Sequence, residues 1–303
     1  MDFLYLIIGL IILVAGAEIV IRGSVSFGKK LNISLFAIGV VIVAGGTSLP
    51  ELASSINAVL NDHADLALGA VVGSNIANLI LVMAATTVIH SISNISKNQI
   101  NQAWVNIGLS IILIFMSFFY FNYIFGVISI FLLIYIMYIQ IKKGSLDLDD
   151  INKNEYSIFL SFLFIFIGII FLIYGSELFI SSAIDLANKF NVSKRVVGLS
   201  LIAFGTSLPE LVVGVMSALK RKVDFALGNI LGSNIYNVLG VLGITSFFGT
   251  FTMPEILAKQ DLFFMLIITF MVLGFMFFAK KLGKIYGSIS LIIYASYMYF
   301  IFL

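Results

Sequence analysis

Gly46-Thr47-Ser48-Leu49-Pro50-Glu51 and Gly205-Thr206-Ser207-Leu208-Pro209-Glu210 are the same six residues, placed 159 positions apart. Each is followed by a second shared stretch at the same offset, Gly73-Ser74-Asn75-Ile76-Ala77-Asn78 and Gly232-Ser233-Asn234-Ile235-Tyr236-Asn237. All four lie within long apolar runs. An acidic side chain at the centre of a membrane helix costs about 2.5–3.5 kcal/mol on insertion scales, and such residues mark ion or proton pathways. A chain that holds carboxylates, hydroxyls and amides in hydrocarbon twice, in one register, points to those groups as its working parts.

The surrounding composition sets the class. Of 303 residues, 61% are hydrophobic and 11% are charged, whereas a soluble domain carries about 25% charged residues. The chain reads as an all-α polytopic membrane protein in a lipid bilayer. With 17 basic against 15 acidic residues, it lacks the charge excess of a nucleic-acid binder. The absence of cysteine excludes disulfides, thiolate metal sites and thiol catalysis. His63 and His90 fall in separate loops and form no ligand cluster.

Runs long enough to span hydrocarbon need about 20 residues. Ten are legible, at roughly 3–22, 33–60, 66–88, 102–119, 122–141, 157–181, 192–219, 225–248, 260–279 and 285–302. The first resembles a signal peptide in position, but it has no basic leader. Its Gly9, Gly16 and Glu18 recur as Gly168, Gly175 and Glu177 at the offset of 159, so it is expected to be a retained structural helix. Asn32, Ser34 and Gly39 likewise recur as Asn191, Ser193 and Gly198. Residues 1–141 and 157–303 thus form two repeats of five spans, and residues 142–156 a short polar linker. Because five is odd, the second copy enters the membrane upside down. Inverted repeats place substrate sites near the midplane, on interrupted helices at the repeat interface.

Orientation follows from the basic residues. Alternating the spans puts 13 of the 17 Lys and Arg on the face that holds the 142–156 linker, and four on the other. The linker is therefore expected in the cytoplasm, both termini outside, and the protein in the plasma membrane.

Two of the three prolines, Pro50 and Pro209, sit at equivalent points of the first motif. Proline inside a helix removes a backbone donor and clashes with the preceding turn. The carbonyls of Gly46 and Gly205 then lose their usual partner, and the carbonyls around Thr47 and Thr206 become candidate cation ligands. Thr47 and Glu51, and Thr206 and Glu210, are four apart and share a helix face. So do Ser74 and Asn78, and Ser233 and Asn237. Together these supply two carboxylates, hydroxyls, amide oxygens and carbonyls, with no sulfur or imidazole. All-oxygen sites suit hard cations, and Ca2+ takes 6–8 oxygens at about 2.3–2.6 Å. Mg2+ dehydrates reluctantly, so a dry cage favours Ca2+ or Na+. Close packing and interhelical hydrogen bonding would explain one Gly-Ser-Asn motif, but not four motifs in matching register. Asn75 and Asn234 fall off the Ser–Asn face and are expected to serve packing, as are Glu18 and Glu177 near helix ends.

These paired segments resemble the alpha-repeats of the calcium/cation antiporter superfamily, whose best-known branch is the sodium/calcium exchangers. The resemblance covers essentially the whole chain. It implies four ion sites in a diamond, with Glu51, Glu210 and the carbonyls of Thr47 and Thr206 around Ca2+. It implies flanking Na+ sites at Ser48, Ser74, Ser207 and Ser233, with Asn78 and Asn237 at the inner position. Ala44 and Ala203 match positions where the family offers backbone carbonyls. Spans 1 and 6 would slide across the core to alternate access. Gly228-Asn229 keeps the family's fuller second motif, whereas the first half has Gly69-Ala70. Some relatives carry Asp where this chain has Asn78 or Asn237, so no third carboxylate is present and K+ dependence is disfavoured.

The function expected is secondary antiport of Ca2+ against Na+, with no prosthetic group and a monomer as the working unit. The same fold with H+ as counter-ion is the alternative, with Glu51 or Glu210 taking the proton. A cation channel is less consistent with a pseudo-twofold inside one chain. Enzymatic chemistry is not expected, because nothing resembles a nucleophile–base pair.

Overall fold

The computed structural model describes residues 2–143, 156–189 and 207–302, nearly all helical. Helix α1 spans Asp2–Leu31 and ends at Asn32, whose φ of 57° reverses the chain. Asn tolerates that left-handed turn better than most residues. Ser34 then caps the next helix, its hydroxyl accepting from the Ala37 amide at 3.2 Å. Helices α2 (Leu35–Thr47) and α3 (Leu49–Leu60) form one apolar segment bent by 40° at Ser48. Then come α4 (Ala64–Ile89), α5 (Lys97–Met116) and α6 (Tyr123–Lys143). The second half holds α7 (Ile158–Lys189), α8 (Leu208–Leu219), α9 (Val223–Thr245), α10 (Leu257–Ala279) and α11 (Lys284–Phe302).

Seven of these helices are long and apolar enough to cross a membrane, or eight if α2 and α3 count as one span. That is fewer than the ten spans read from the sequence. The seventh expected span, 192–219, begins outside the described residues and leaves only the short apolar helix α8. The last, α11, is a 19-residue helix. The recurrences at Asn191, Ser193 and Gly198 also lie outside the described residues.

The repeat is visible in the turns. Asp62 and Arg221, 159 residues apart, both take left-handed φ, 63° and 58°. In each turn the following amide reaches back five residues: His63 N to Ala58 O and Lys222 N to Ser217 O, both at 2.8 Å. Elsewhere, short strands join the loops. β1 (Ile92–Ser93) pairs with β4 (Lys281–Leu282), and β2 (Tyr120–Phe121) with β3 (Phe251–Thr252), both antiparallel. Phe121 and Phe251 stack with ring centroids 5.3 Å apart. The Tyr156 amide donates to Ser26 Oγ at 2.9 Å. Each contact joins segments that alternation of the spans assigns to one face.

Helices α9 and α4 occupy the centre, with 94% and 72% of their apolar windows buried, against 33% and 28% for α1 and α7. The central pair carries the Gly-Ser-Asn motifs. The outer pair, α1 and α7, lie antiparallel along a seam of glycines seven residues apart. A Cβ on Gly16 would stand 2.9 Å from the Gly168 carbonyl, and one on Gly23 2.8 Å from the Ser161 carbonyl. Gly9 meets Phe179 N at 2.7 Å in the same way. Small residues allow helix backbones in a membrane to approach this closely.

Gly16→Ala is expected to force the two backbones apart at a cost of about 1–3 kcal/mol. Gly69→Ala is the control, since its Cβ would meet nothing within 4 Å and helix propensity favours Ala by about 1 kcal/mol. Thermal unfolding in detergent reads both: the midpoint drops for Gly16→Ala and holds or rises for Gly69→Ala. Equal midpoints would contradict the seam.

Candidate cation site

The first motif ends one helix and begins another. Thr47 closes α2, Ser48 leaves helical geometry at φ −83°, ψ 4°, and α3 starts at Leu49 with Pro50 in its first turn. Ser207 does the same at φ −87°, ψ 6°, ahead of α8 and Pro209. Proline is tolerated in a first turn, where its missing N–H has no intrahelical role. Glu51 and Glu210 therefore fall in the first turn of a new helix, whose positive end favours a carboxylate. The negative, carbonyl end of α2 meets the same place. Neither glutamate is exposed to solvent at all.

The second motif leads into a wider, π-helical turn in both halves, Asn78–Val82 in α4 and Tyr236–Val241 in α9. A third lies at Gly39–Val43 in α2. Such turns disturb the regular backbone ladder and cluster at functional sites. Two tyrosines bond carbonyls inside them: Tyr236 Oη donates to Val41 O at 2.6 Å, and Tyr286 Oη donates to Leu79 O.

Hydrogen bonds then knit the halves together with near two-fold regularity. Ser74 Oγ donates to Glu51 Oε1 at 3.4 Å, and Ser233 Oγ donates to Glu210 Oε1 at 3.3 Å. Each serine also meets a hydroxyl of the other half, Ser74 to Ser207 Oγ at 3.0 Å and Ser233 to Thr47 Oγ1 at 3.4 Å. Four asparagine amides close the centre. Asn78 Nδ2 donates to Asn234 Oδ1 and Asn237 Nδ2 to Asn75 Oδ1, both at 3.0 Å. Asn234 Nδ2 reaches Asn75 O at 3.3 Å, and Asn75 Nδ2 reaches Asn234 O at 3.5 Å. Asn237 also donates to Ser74 Oγ at 3.2 Å.

This network leaves a particular set of atoms unserved. Glu51 Oε2, Glu210 Oε2, Asn78 Oδ1, Asn237 Oδ1 and Ser48 Oγ are buried without a hydrogen-bond partner. Leaving a buried polar group unpaired costs about 1–3 kcal/mol, and more when it is charged. Four of the five are pure acceptors when the carboxylates are ionised, which is the donor set of a hard-cation site. Among the described residues no group of three or more His, Cys, Asp or Glu could hold a metal. The acidic side chains gathered here are Glu51 and Glu210, set among neutral oxygens.

Of the residues singled out in the sequence, the structure brings together Glu51, Glu210, Thr47, Ser74, Ser207, Ser233, Asn78 and Asn237. Ser48 lies buried beside them in the chain. The Ala44 carbonyl already accepts from Ser48 N at 3.0 Å and from Thr47 Oγ1 at 3.3 Å. Thr206 and Ala203 lie outside the described residues. Asn75 and Asn234, off the Ser–Asn face, pack at the interface and form a hydrogen-bonded bridge between the halves. The signal was present, because Asn75 and Asn78 are three apart and so are neighbours on a helix surface. Asn229 is a further addition, accepting from Thr47 Oγ1 at 3.5 Å.

Known proteins resemble this chain in sequence and in fold. The family model described as sodium/calcium exchanger protein matches residues 1–142 and 160–303. An uncharacterized membrane protein of Methanocaldococcus jannaschii is 32% identical over 96% of this chain and 94% of its own length. The sodium/calcium exchanger MaX1 of Methanosarcina acetivorans is 28% identical, over 99% of this chain and 98% of its own. Among solved structures, the sodium-calcium exchanger NCX_Mj soaked with Na+ and Sr2+ superposes with a TM-score of 0.87 at 31% identity. That match covers 98% of this chain and 97% of the other.

Asn234→Ala removes a second donor to Asn75 O, which keeps a backbone amide, and the acceptor for Asn78 Nδ2, which is stranded at membrane depth. The expected cost is about 1–3 kcal/mol for the stranded amide, seen as a lower thermal midpoint in detergent. An unchanged midpoint would mean that the asparagine bridge does not hold the halves together.

Proposed function

The chain belongs to the sodium/calcium exchanger protein family, and we propose that it is a secondary antiporter exchanging Ca2+ for Na+ by alternating access. The observation that carries this reading is the set of unpartnered buried oxygens around two glutamates, one from each half. Glu51 and Glu210, with the carbonyls of Thr47 and Thr206, would hold Ca2+. Ser48, Ser74, Ser207 and Ser233 would flank it as Na+ ligands. Asn78 and Asn237 would serve the inner position, with the carbonyls of Ala44 and Ala203 completing the set.

Coupling follows from charge. Two carboxylates neutralise one Ca2+ or an equivalent load of Na+, but not both at once. Unloaded, they would be two uncompensated buried charges, each costing several kcal/mol. A site that must be filled to cross gives exchange rather than leak. The family match and the exchangers among its relatives support Na+ as the counter-ion; nothing in them favours H+.

The architecture proposed is ten transmembrane helices in two inverted five-helix repeats, 1–141 and 157–303, joined by the 142–156 linker. The constant offset of 159, the equivalent turns at Asp62 and Arg221, and the antiparallel α1 and α7 support it. The glycine seam between α1 and α7 favours their sliding together across the core as one body. The basic-residue asymmetry supports a cytoplasmic linker, external termini and residence in the plasma membrane. Both half-sites lie in one chain, which supports a monomeric working unit.

Proteoliposomes loaded with Na+ and diluted into Na+-free medium at equal pH are expected to take up 45Ca2+. Glu51→Gln and Glu210→Gln should each abolish that uptake while eluting as the unaltered protein does from size exclusion. Uptake that needs a pH gradient and ignores Na+ would reject Na+ as the driving ion. Retained exchange in either mutant would reject the site.

A further inference from the structure

Helices α5 and α6 do not close on each other along their outer side. Between them lies a half-open cleft of about 580 Å3, within the range of small-molecule sites. It is graded along its length. Asn98, Asn101, Gln102, Gln140 and Lys143 line one end, and residues such as Leu109 and Ile112 line the rest. The polar end lies where α5 begins and α6 finishes. There Asn98 Nδ2 donates to Gln140 Oε1 at 2.9 Å, and Gln140 Nε2 donates to Gln102 Oε1. Within this network Gln102 Nε2 is left without a partner, although the residue is only 2% exposed.

We propose that this cleft binds one anionic phospholipid, its headgroup at Lys143 and the neighbouring amides and an acyl chain lying along the apolar part toward the membrane interior. The order of polarity fits an amphiphile entering from the bilayer, head at the surface and tail inward. A polar solute would leave the apolar part unfilled, and a wholly apolar one would leave the amides unpaired. The sign of the charge is also specific. Among the described residues no acidic one lines the cleft, Lys143 does, and Lys97 and Lys142 adjoin it in the chain. This is the basic face of the protein, and a Lys near an anionic leaflet adds to the attraction for acidic headgroups. The buried Gln102 amide offers a donor to a phosphate or ester oxygen. Gly108 forms part of the wall, and a Cβ placed there meets nothing within 4 Å, so a larger side chain would occupy the cleft without disturbing the helices. The proposal does not depend on which ions the central site carries.

Trp104, the chain's single tryptophan, also lines the cleft and reports occupancy directly. The protein is reconstituted in phosphatidylcholine bilayers containing a few mole per cent of either brominated phosphatidylglycerol or brominated phosphatidylcholine. Bromine quenching of Trp104 should be several-fold greater with the anionic lipid and should saturate as its fraction rises. Gly108→Phe, which fills the cleft, and Lys143→Gln, which removes its charge, should each reduce quenching to the phosphatidylcholine level while the thermal midpoint holds. Equal quenching by the two lipids in the unaltered protein would mean only annular contact and would overturn the proposal. A full anionic preference surviving in Gly108→Phe would place the lipid outside the cleft and overturn it as well.

Discussion

Everything central to this protein rests on one constraint: in hydrocarbon a polar group must find its partner inside the protein. The four asparagines at 75, 78, 234 and 237 meet it for one another. Each amide nitrogen donates within the ring, and Asn237 spends its second hydrogen on Ser74. An amide has two donors and one acceptor oxygen, so spending its donors inward leaves oxygen as the unspent resource. Asn78 Oδ1 and Asn237 Oδ1 are left unpartnered, together with one oxygen of each glutamate, Ser48 Oγ and, beside Thr47, Asn229 Nδ2. The same bonds that hold the halves together thus leave mainly acceptor oxygens unspent. Asp in place of Asn237 could not donate to Asn75 and Ser74 when ionised. The two-carboxylate site and the asparagine bridge are one arrangement seen from two sides.

The broken helices serve the same constraint in the backbone. A continuous helix would have used its own carbonyls and amides throughout, leaving nothing to offer an ion. Breaking at Ser48 and Ser207 creates a new helix start beneath each glutamate, and a helix end at Thr47. Termini concentrate unsatisfied groups by their nature, so each break brings backbone polarity to the site without adding a charged side chain. The π-helical turns after Asn78 and around Asn237 extend this further along α4 and α9. Tyrosines cover carbonyls in two such turns, which confines the free polarity to the centre.

Much of this was legible in the chain because duplication acts as an internal alignment. The offset of 159 picked out Glu51, Glu210 and the serines without any relative for comparison, and proline marked the helix breaks. What escaped was whatever depends on contact between the halves. One helix taken alone shows Asn75 only as a packing residue, while its hydrogen-bond partners, Asn234 and Asn237, lie across the interface. The α5–α6 cleft left no periodic trace at all, since Asn98, Gln102 and Gln140 look like ordinary interfacial polar residues until the two helices are set side by side.

The repeat also shows where sameness matters and where it does not. The Gly-Thr-Ser-Leu-Pro-Glu and Gly-Ser-Asn residues match between the halves, whereas Asn229 stands opposite Ala70 and the edge diverges further. Glu18 in α1 bonds Arg22 at 2.6 Å and Lys220 at 2.7 Å, in the turn between α8 and α9. The counterparts by the offset are Glu177, which is exposed, and Asn61, which has no charge to offer. A half-exposed ion pair of this kind contributes about 0–1 kcal/mol, at most about a fivefold change in a two-state population. That is too little to build the fold. Glu18 ties α1 to the turn between α8 and α9 through Lys220, a charge pair that Glu177 and Asn61 cannot form.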